Sequence, residues 1–360
     1  MSRRVIPFAL ISALTLALTP VLAQADWFPY PAESTSPPFA ADGKVTPFEY
    51  KPLAKASKKW DLCVSFPHMK DAYWLGVDYG VAEEAKREGV KMHLVEAGGY
   101  TNLSKQISQI EDCVARGAQA VIIGAISADG MSGLVKSLAA KKLPVIDVIN
   151  GINSPDLTAK SLVSFYTMGH SAGEYLVKLH PAGSAKVKVG WFPGPAGAGW
   201  VEAAHKGFME AVKGNSAIEV LAPKYGDTGK EVQAKLVEDV LQANPDVAYI
   251  AGTAVTAEAA VGLLRARNLQ DKVKLLSFYI TPGVFDGIQK GRILASPADS
   301  MVIQGRIAVD QAVRALEGKL DEKEKHVGPK IFVVDSNNIK TVKLEDILPP
   351  VGYKPVFEVK

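Results

Sequence analysis

Gly117-Ala118-Gln119-Ala120-Val121-Ile122-Ile123-Gly124-Ala125 is the stretch that decides the fold. Its centre, Ala120 to Gly124, is a short run of small and apolar residues with no alternation, the pattern of a strand covered on both faces, which parallel sheets use. Gly117 stops a helical pattern that runs from Asn102 to Arg116. Further back, Val90 to Glu96 reads as a strand, Trp74 to Glu88 as a helix closed by Gly89, and Trp60 to Phe66 as another short apolar strand. Forward of the quoted stretch, a helix from Met131 to Lys141 ends before Pro144, and Val145 to Val148 is the next strand. Strands and helices alternating across short glycine-bearing turns specify a parallel sheet with helices on both faces.

The cycle then restarts. A helix around Gly169 to Leu179 leads to the strand Val187 to Phe192, the helix Val201 to Val212, the strand Ile218 to Pro223 and the helix Lys230 to Gln242. The strand Val247 to Thr253, the helix Thr256 to Arg267 and the strand Lys274 to Phe278 complete a second unit. The fold class is therefore α/β: two doubly wound parallel-sheet lobes in tandem, joined by a three-strand hinge with a cleft between them. A further helix and strand, Val284 to Ala295, and a long helix, Val302 to Glu317, follow. The expected division is residues 58–165 with about 281–303 in the first lobe, and 166–280 with about 304–360 in the second.

The N-terminus reads as an export signal. Met1-Ser2-Arg3-Arg4 is basic, Val5 to Leu22 is apolar, and Ala23-Gln24-Ala25 has the small-x-small pattern of a cleavage site, so residues 1–25 are expected to be removed. Residues 26–57, rich in Pro, Ser and Ala, read as an extended leader, with Phe48, Tyr50 and Leu53 able to pack along the first lobe. A formal net charge of +3 and the lack of a basic stripe argue against a nucleic-acid partner. The two cysteines, Cys63 and Cys113, suit a disulfide in an oxidising compartment, with a pair of buried free thiols as the alternative. They offer no metal site without a histidine cluster, and no cofactor motif stands beside them.

In open parallel sheets, ligands sit at the carboxyl ends of strands. Those turns hold no H-E-x-x-H pair or phosphate loop, and no catalytic residue is expected. Pro193 and Pro195 deprive the Gly194 to Gly199 loop of the N–H donors a phosphate nest requires. Aromatic residues are what the turns do carry. Asp71-Ala72-Tyr73-Trp74 follows the first strand, Gly98-Gly99-Tyr100 the second, Phe165-Tyr166 stands at the first crossing, and Ser277-Phe278-Tyr279 ends the last strand of the second unit. Asp71 is placed to cap a helix, and each aromatic alone suits a core as well as a ligand. Rings at cleft-facing ends of strands from both lobes, with one carboxylate, suit a cation carrying apolar methyl groups. The shortage of Asp, Asn and Arg in the turns weighs against a sugar.

At these residues the chain resembles the TorT family, the periplasmic trimethylamine N-oxide binding proteins that act with a TorS-type sensor histidine kinase. The likeness rests on Lys70-Asp71-Ala72-Tyr73-Trp74, Leu94 to Tyr100, Phe192-Pro193-Gly194-Pro195, Ala251 to Ala254, Ser277-Phe278-Tyr279 and Gly352 to Val356. It implies a type I periplasmic binding protein with a cage of Asp71, Tyr73, Trp74, Tyr100, Phe165 and Tyr279, and it supports the Cys63–Cys113 disulfide. It also implies a periplasmic location, a small methylated amine such as trimethylamine N-oxide as ligand, and the periplasmic domain of a sensor kinase controlling anaerobic respiration as partner. In one respect the chain departs. The family has Trp at the crossing, where this chain has Phe165 or its neighbour Tyr166, and Trp200 stands in a loop that is aromatic-free in the family. Loss of an indole N–H there leaves a relative of trimethylamine N-oxide open as the ligand. The alternative function is a substrate-binding protein delivering a sugar or small amine to an ABC transporter.

Overall fold

The computed structural model describes residues 27–40 and 43–360. Residues 1–25, read as a signal peptide, lie outside the described residues. The strand Ala120–Ile123 is buried at every position and stands inside a nine-stranded sheet. Asp61–Phe66 and Val145–Val148 flank it in parallel, with Lys91–Glu96 beyond the first and Ala159–Ser161 beyond the second. A second sheet is wholly parallel, in the order Lys274–Ser277, Val247–Gly252, Val187–Phe192, Ile218–Val220. In both sheets the first strand lies between the second and the third, so the winding reverses beside it. That reversal opens a crevice at the carboxyl ends of Asp61–Phe66 and Val187–Phe192, and the two crevices form the cleft.

Local chemistry sets the helices that frame the cleft. The helix Ala72–Glu88 begins where the Asp71 side chain accepts the Trp74 N–H, and it ends at Gly89 in the left-handed conformation with φ 77°. The helices Phe165–Leu179 and Gly199–Val212 pack closely through glycines: a Cβ on Gly169 would strike the Ala204 carbonyl, and one on Gly207 the Tyr166 carbonyl. Cys63 and Cys113 form a disulfide with Cα atoms 6.0 Å apart, tying the strand Asp61–Phe66 to the helix Leu103–Ala115.

Two expectations about chain organisation are corrected. Within residues 26–57, Tyr30–Ser36 and Lys44–Tyr50 form an antiparallel hairpin that joins the large sheet beside His326–Pro329, not a mere extended leader. The reason is long-range. The Tyr50 hydroxyl donates to Asp310 at 2.5 Å, the Leu53 N–H to the same carboxylate at 2.7 Å, and Arg314 reaches the Lys51 carbonyl at 2.6 Å. Pro47 is tolerated because Lys44–Tyr50 is the edge strand.

The second correction concerns the crossings. The helix Pro282–Gln289 packs on the helix Ala254–Ala266 of the second unit, and the Leu294 N–H bonds Leu275 O at 2.9 Å, so 281–298 belongs with the second lobe. The long helix Met301–Leu316 lies against Ala72–Glu88 of the first lobe, where a Cβ on Gly80 would strike the Val302 carbonyl. His326–Pro329 pairs with Ala159–Ser161 in the large sheet, and Glu358–Val359 pairs with Lys91–Glu96. The chain therefore passes between lobes near 162–164, 299–300 and 330–331; Phe332–Asp335 pairs with Ala295–Ala298 in the second lobe, and the chain then crosses once more to reach the first-lobe sheet at Glu358–Val359. Tyr279 is not at a crossing.

Candidate functional site

The turns at the strand ends meet in a cavity of about 280 Å³ lined by Asp71, Tyr73, Trp74, Tyr100, Phe165 and Tyr279, together with Ile149, Asn150, Trp200 and Thr228. All six residues expected from sequence face this one space. Asp71, Tyr73 and Trp74 are held by the first turn of the helix Ala72–Glu88, with 3.2 Å between the Trp74 N–H nitrogen and Asp71 Oδ1. Trp74 lies over Gly124, where any Cβ would occupy the place of its ring. Gly98, with φ 92°, turns the chain so that Tyr100 enters the cavity. Of the crossing pair, Phe165 is the ring inside. Tyr166 donates to Glu210 at 2.5 Å and does not line the cavity.

The rings interlock across the cleft. Tyr73 of the first lobe meets Tyr279 of the second edge-to-face at 5.2 Å. Trp200 lies 5.6 Å from Phe165, 6.0 Å from Tyr100 and 6.1 Å from Tyr279, touching the cage from the second lobe. Phenol and indole rings that line one space can offer negative ring faces to a cation there. The polar groups are few. Asn150 donates to the Tyr100 hydroxyl at 3.0 Å and to Ala125 O at 2.7 Å, and the Tyr73 hydroxyl donates to Asp299.

Burial pushes the Asp71 carboxyl up to about 6, against the lowering effect of the Trp74 N–H. His68 stands 3.8 Å from Asp71, but burial and then Lys70 push it down to about 4, so it is neutral at pH 7 and forms no ion pair there. Asp71 is thus the single charge at the cavity wall among the described residues. Burial, and then the Asp299 charge, raise the Tyr73 hydroxyl well above its ordinary range, and burial does the same to Tyr279, so both remain neutral.

Sequence reading does not point to Ile149 or Thr228; Asn150 and Trp200 stand in turns that follow strand ends, where ligands are expected, but neither is assigned to the cage. Ile149 adopts φ 71°, a conformation that costs a β-branched residue of order 1–3 kcal/mol. Its only sequence signal is the turn after Val148. Thr228 closes the cleft from the far lobe, its hydroxyl 3.0 Å from His68 Nε2, and Lys70 pairs with Asp227 at 3.0 Å beside it. These contacts bridge residues about 160 positions apart, which no local pattern announces.

Away from the cavity, Gly169-His170-Ser171-Ala172-Gly173 has the spelling of a hydrolase nucleophile elbow. It lies inside the helix Phe165–Leu179, not at a strand-to-helix turn, and its glycines serve the close packing described above. A serine in mid-helix lacks the sharp turn that exposes such a nucleophile, so the spelling carries no hydrolase chemistry here. No group of three or more His, Cys, Asp or Glu residues able to hold a metal occurs among the described residues, nor is any helix among them long and apolar enough to cross a membrane.

Two lobes closing on a small aromatic cavity define a solute-binding protein, and the family model described as a periplasmic binding protein domain matches residues 62–320. The chain belongs to the periplasmic binding protein family. Within it the chain is TorT-like: it is 36% identical over 303 residues to the periplasmic protein TorT of Escherichia coli K12, covering 84% of this chain and 86% of the relative. The crystal structure of a TorS sensor domain–TorT complex in the presence of TMAO superposes with a TM-score of 0.74 at 34% identity, covering 83% of this chain and all of that one. An ABC transporter solute binding protein from Bradyrhizobium sp. BTAi1 with bound Bis-Tris is 72% identical, with a TM-score of 0.79 over 93% of this chain and 100% of that one. The ribose import binding protein RbsB of Salmonella typhimurium is 24% identical over 78% of this chain and 93% of the relative.

Proposed function

We propose that the protein is a periplasmic receptor that binds trimethylamine N-oxide or a related small methylated amine and regulates the periplasmic domain of a TorS-type sensor histidine kinase. The observation that carries the reading is the cage itself: Asp71, Tyr73, Trp74, Tyr100, Phe165 and Tyr279 converge from both lobes on one cavity with a single carboxylate. Methyl groups on a cationic nitrogen satisfy ring faces and carboxylate together. A sugar would leave its hydroxyls against hydrocarbon, at the cost of unmade hydrogen bonds.

Support from relatives is of the same chemical kind. TorT is crystallised with the TorS sensor domain and TMAO, and the Bradyrhizobium relative with Bis-Tris, a tertiary amine that also bears hydroxyl groups. The latter also favours a second reading, delivery of an amine to an ABC permease. Isothermal calorimetry of the purified protein with trimethylamine N-oxide, betaine, choline and ribose tests the ligand class. Binding of ribose alone would overturn it. Repeating the titration with the kinase's periplasmic domain separates signalling from transport. A ligand that shifts docking must have its own affinity shifted by the same factor, whereas docking with unchanged ligand affinity favours the transport reading.

A further inference from the structure

Trp200 lines the cavity beside the six cage residues. It opens the helix Gly199–Val212 on the second lobe, is 5% exposed, and packs against Phe165, Tyr100 and Tyr279. Its indole Nε1–H is buried on the side of the Tyr100 hydroxyl but makes no hydrogen bond within ordinary geometry among the described residues. Buried indole N–H groups ordinarily find an acceptor, so one left over on a cavity wall marks where a ligand atom belongs. A second donor stands beside it. The Tyr100 hydroxyl accepts from Asn150, whose other amide hydrogen goes to Ala125 O, and the phenol's own hydrogen has no acceptor among the described residues.

The cavity is therefore polarised. One wall carries Asp71, which attracts positive charge; the Trp200–Tyr100 side carries donors with nothing to donate to. A plain quaternary ammonium satisfies the first and leaves the second unmade. A molecule with a cationic nitrogen bonded to an electron-rich oxygen satisfies both.

Resting on the methylated-amine reading above, we propose that the Trp200 indole N–H donates to the oxygen of the bound ligand, so that Trp200 selects a dipolar amine oxide over the same cation without oxygen. Phe165 keeps the apolar surface at the crossing, and Trp200 supplies the donor from the opposite lobe. Because Trp200 is a second-lobe residue while Asp71 is on the first, the bond also draws the lobes together.

The test compares trimethylamine N-oxide with tetramethylammonium, in which a methyl group replaces the oxygen, by calorimetry on the wild type and on Trp200→Phe. Loss of ring area weakens both ligands alike. Because tetramethylammonium carries a net charge that the dipolar N-oxide lacks, the change in the ratio of affinities reads the bond: Trp200→Phe should lower the preference for the N-oxide by about tenfold relative to the wild type, as sites built to pair a polar atom reject analogues lacking it. An unchanged ratio in the variant overturns the assignment while leaving the cage intact. Binding of neither ligand by the wild type overturns the methylated-amine reading, and the assignment with it. If Trp200→Phe does not fold, the wild-type Trp200 indole ¹⁵N–¹H signal decides. A downfield shift with the N-oxide and none with tetramethylammonium supports the assignment, and equal responses overturn it.

Discussion

Acidification should weaken ligand binding through one identifiable proton. Asp71 is the carboxylate at the cavity wall, and burial raises it to about 6 in the free protein. A cation seated against it holds it ionised, so its pKa in the complex lies lower. Affinity is thus fully present above pH 6 and falls as the pH drops through 6 toward the bound value. The carboxyl is about nine-tenths ionised at pH 7 and about one-tenth at pH 5, so affinity for a ligand that requires the anion falls about tenfold, or about 1.4 kcal/mol. Asp299, also raised to about 6, reaches the cage only through the Tyr73 hydroxyl, so the Asp71→Asn variant is what separates the two protons. His68 is held near 4, and Lys70 is engaged with Asp227 at the rim. Glu258, which is raised by burial, accepts from Thr281 and does not line the cavity.

Stability of the free protein should move the other way. Asp78, Asp147 and Asp299 are also raised to about 6 by burial. A raised carboxyl binds its proton more tightly folded than unfolded, so all four oppose folding above pH 6 and cease to do so as the pH falls toward 4. Calorimetric titration between pH 7.5 and 5, on wild type and Asp71→Asn, measures the affinity arm, and thermal melts of the free protein measure the other. Asp71→Asn should bind weakly at every pH with a flat profile. An affinity that is flat in the wild type, or a variant that keeps the wild-type slope, would refute the assignment of the proton to Asp71.

Trp74→Ala should lose at least about 2 kcal/mol of binding in the same calorimetric assay, the scale of a desolvated cation–π contact, with little change on raising the salt. Mass spectrometry of the exported protein without reductant should show Cys63 and Cys113 joined, and their replacement by serine should cost roughly 4 kcal/mol in denaturant unfolding, the chain-entropy value for a loop of 50 residues. Gly80→Ala places a methyl group on the Val302 carbonyl and should lower the stability by about 1–3 kcal/mol, read as a fall in Tm, without touching the cage. Thr228→Val removes the His68 contact between lobes and should speed ligand release in stopped-flow measurements with little effect on the association rate.

How much of the site was legible in the chain follows from what each residue depends on. Asp71, Tyr73, Trp74, Tyr100, Phe165 and Tyr279 are all within a few positions of a strand end or a crossing, and parallel winding sends every such end to the same side of its sheet. Trp200 likewise follows the strand Val187–Phe192, yet its packing against Phe165 depends on two lobes meeting. Thr228 and the strained Ile149 announce nothing locally, because closure of the cleft and the surrounding backbone decide their roles.

Periodicity and turn chemistry by themselves determined the parallel cores of the two sheets and the succession of strands and helices along the chain, because burial on both faces and glycine-closed helix ends are written within ten to twenty residues. They did not determine the course of the chain after Phe278 or the fate of residues 26–57. Those segments are placed by partners far away in sequence: Gly80 admitting the helix Met301–Leu316 to the first lobe, and Asp310 drawing Tyr50 and Leu53 onto it. Only the folded molecule brings such residues within reach of one another, and the enclosed cage, which needs both lobes, belongs to the same order of structure.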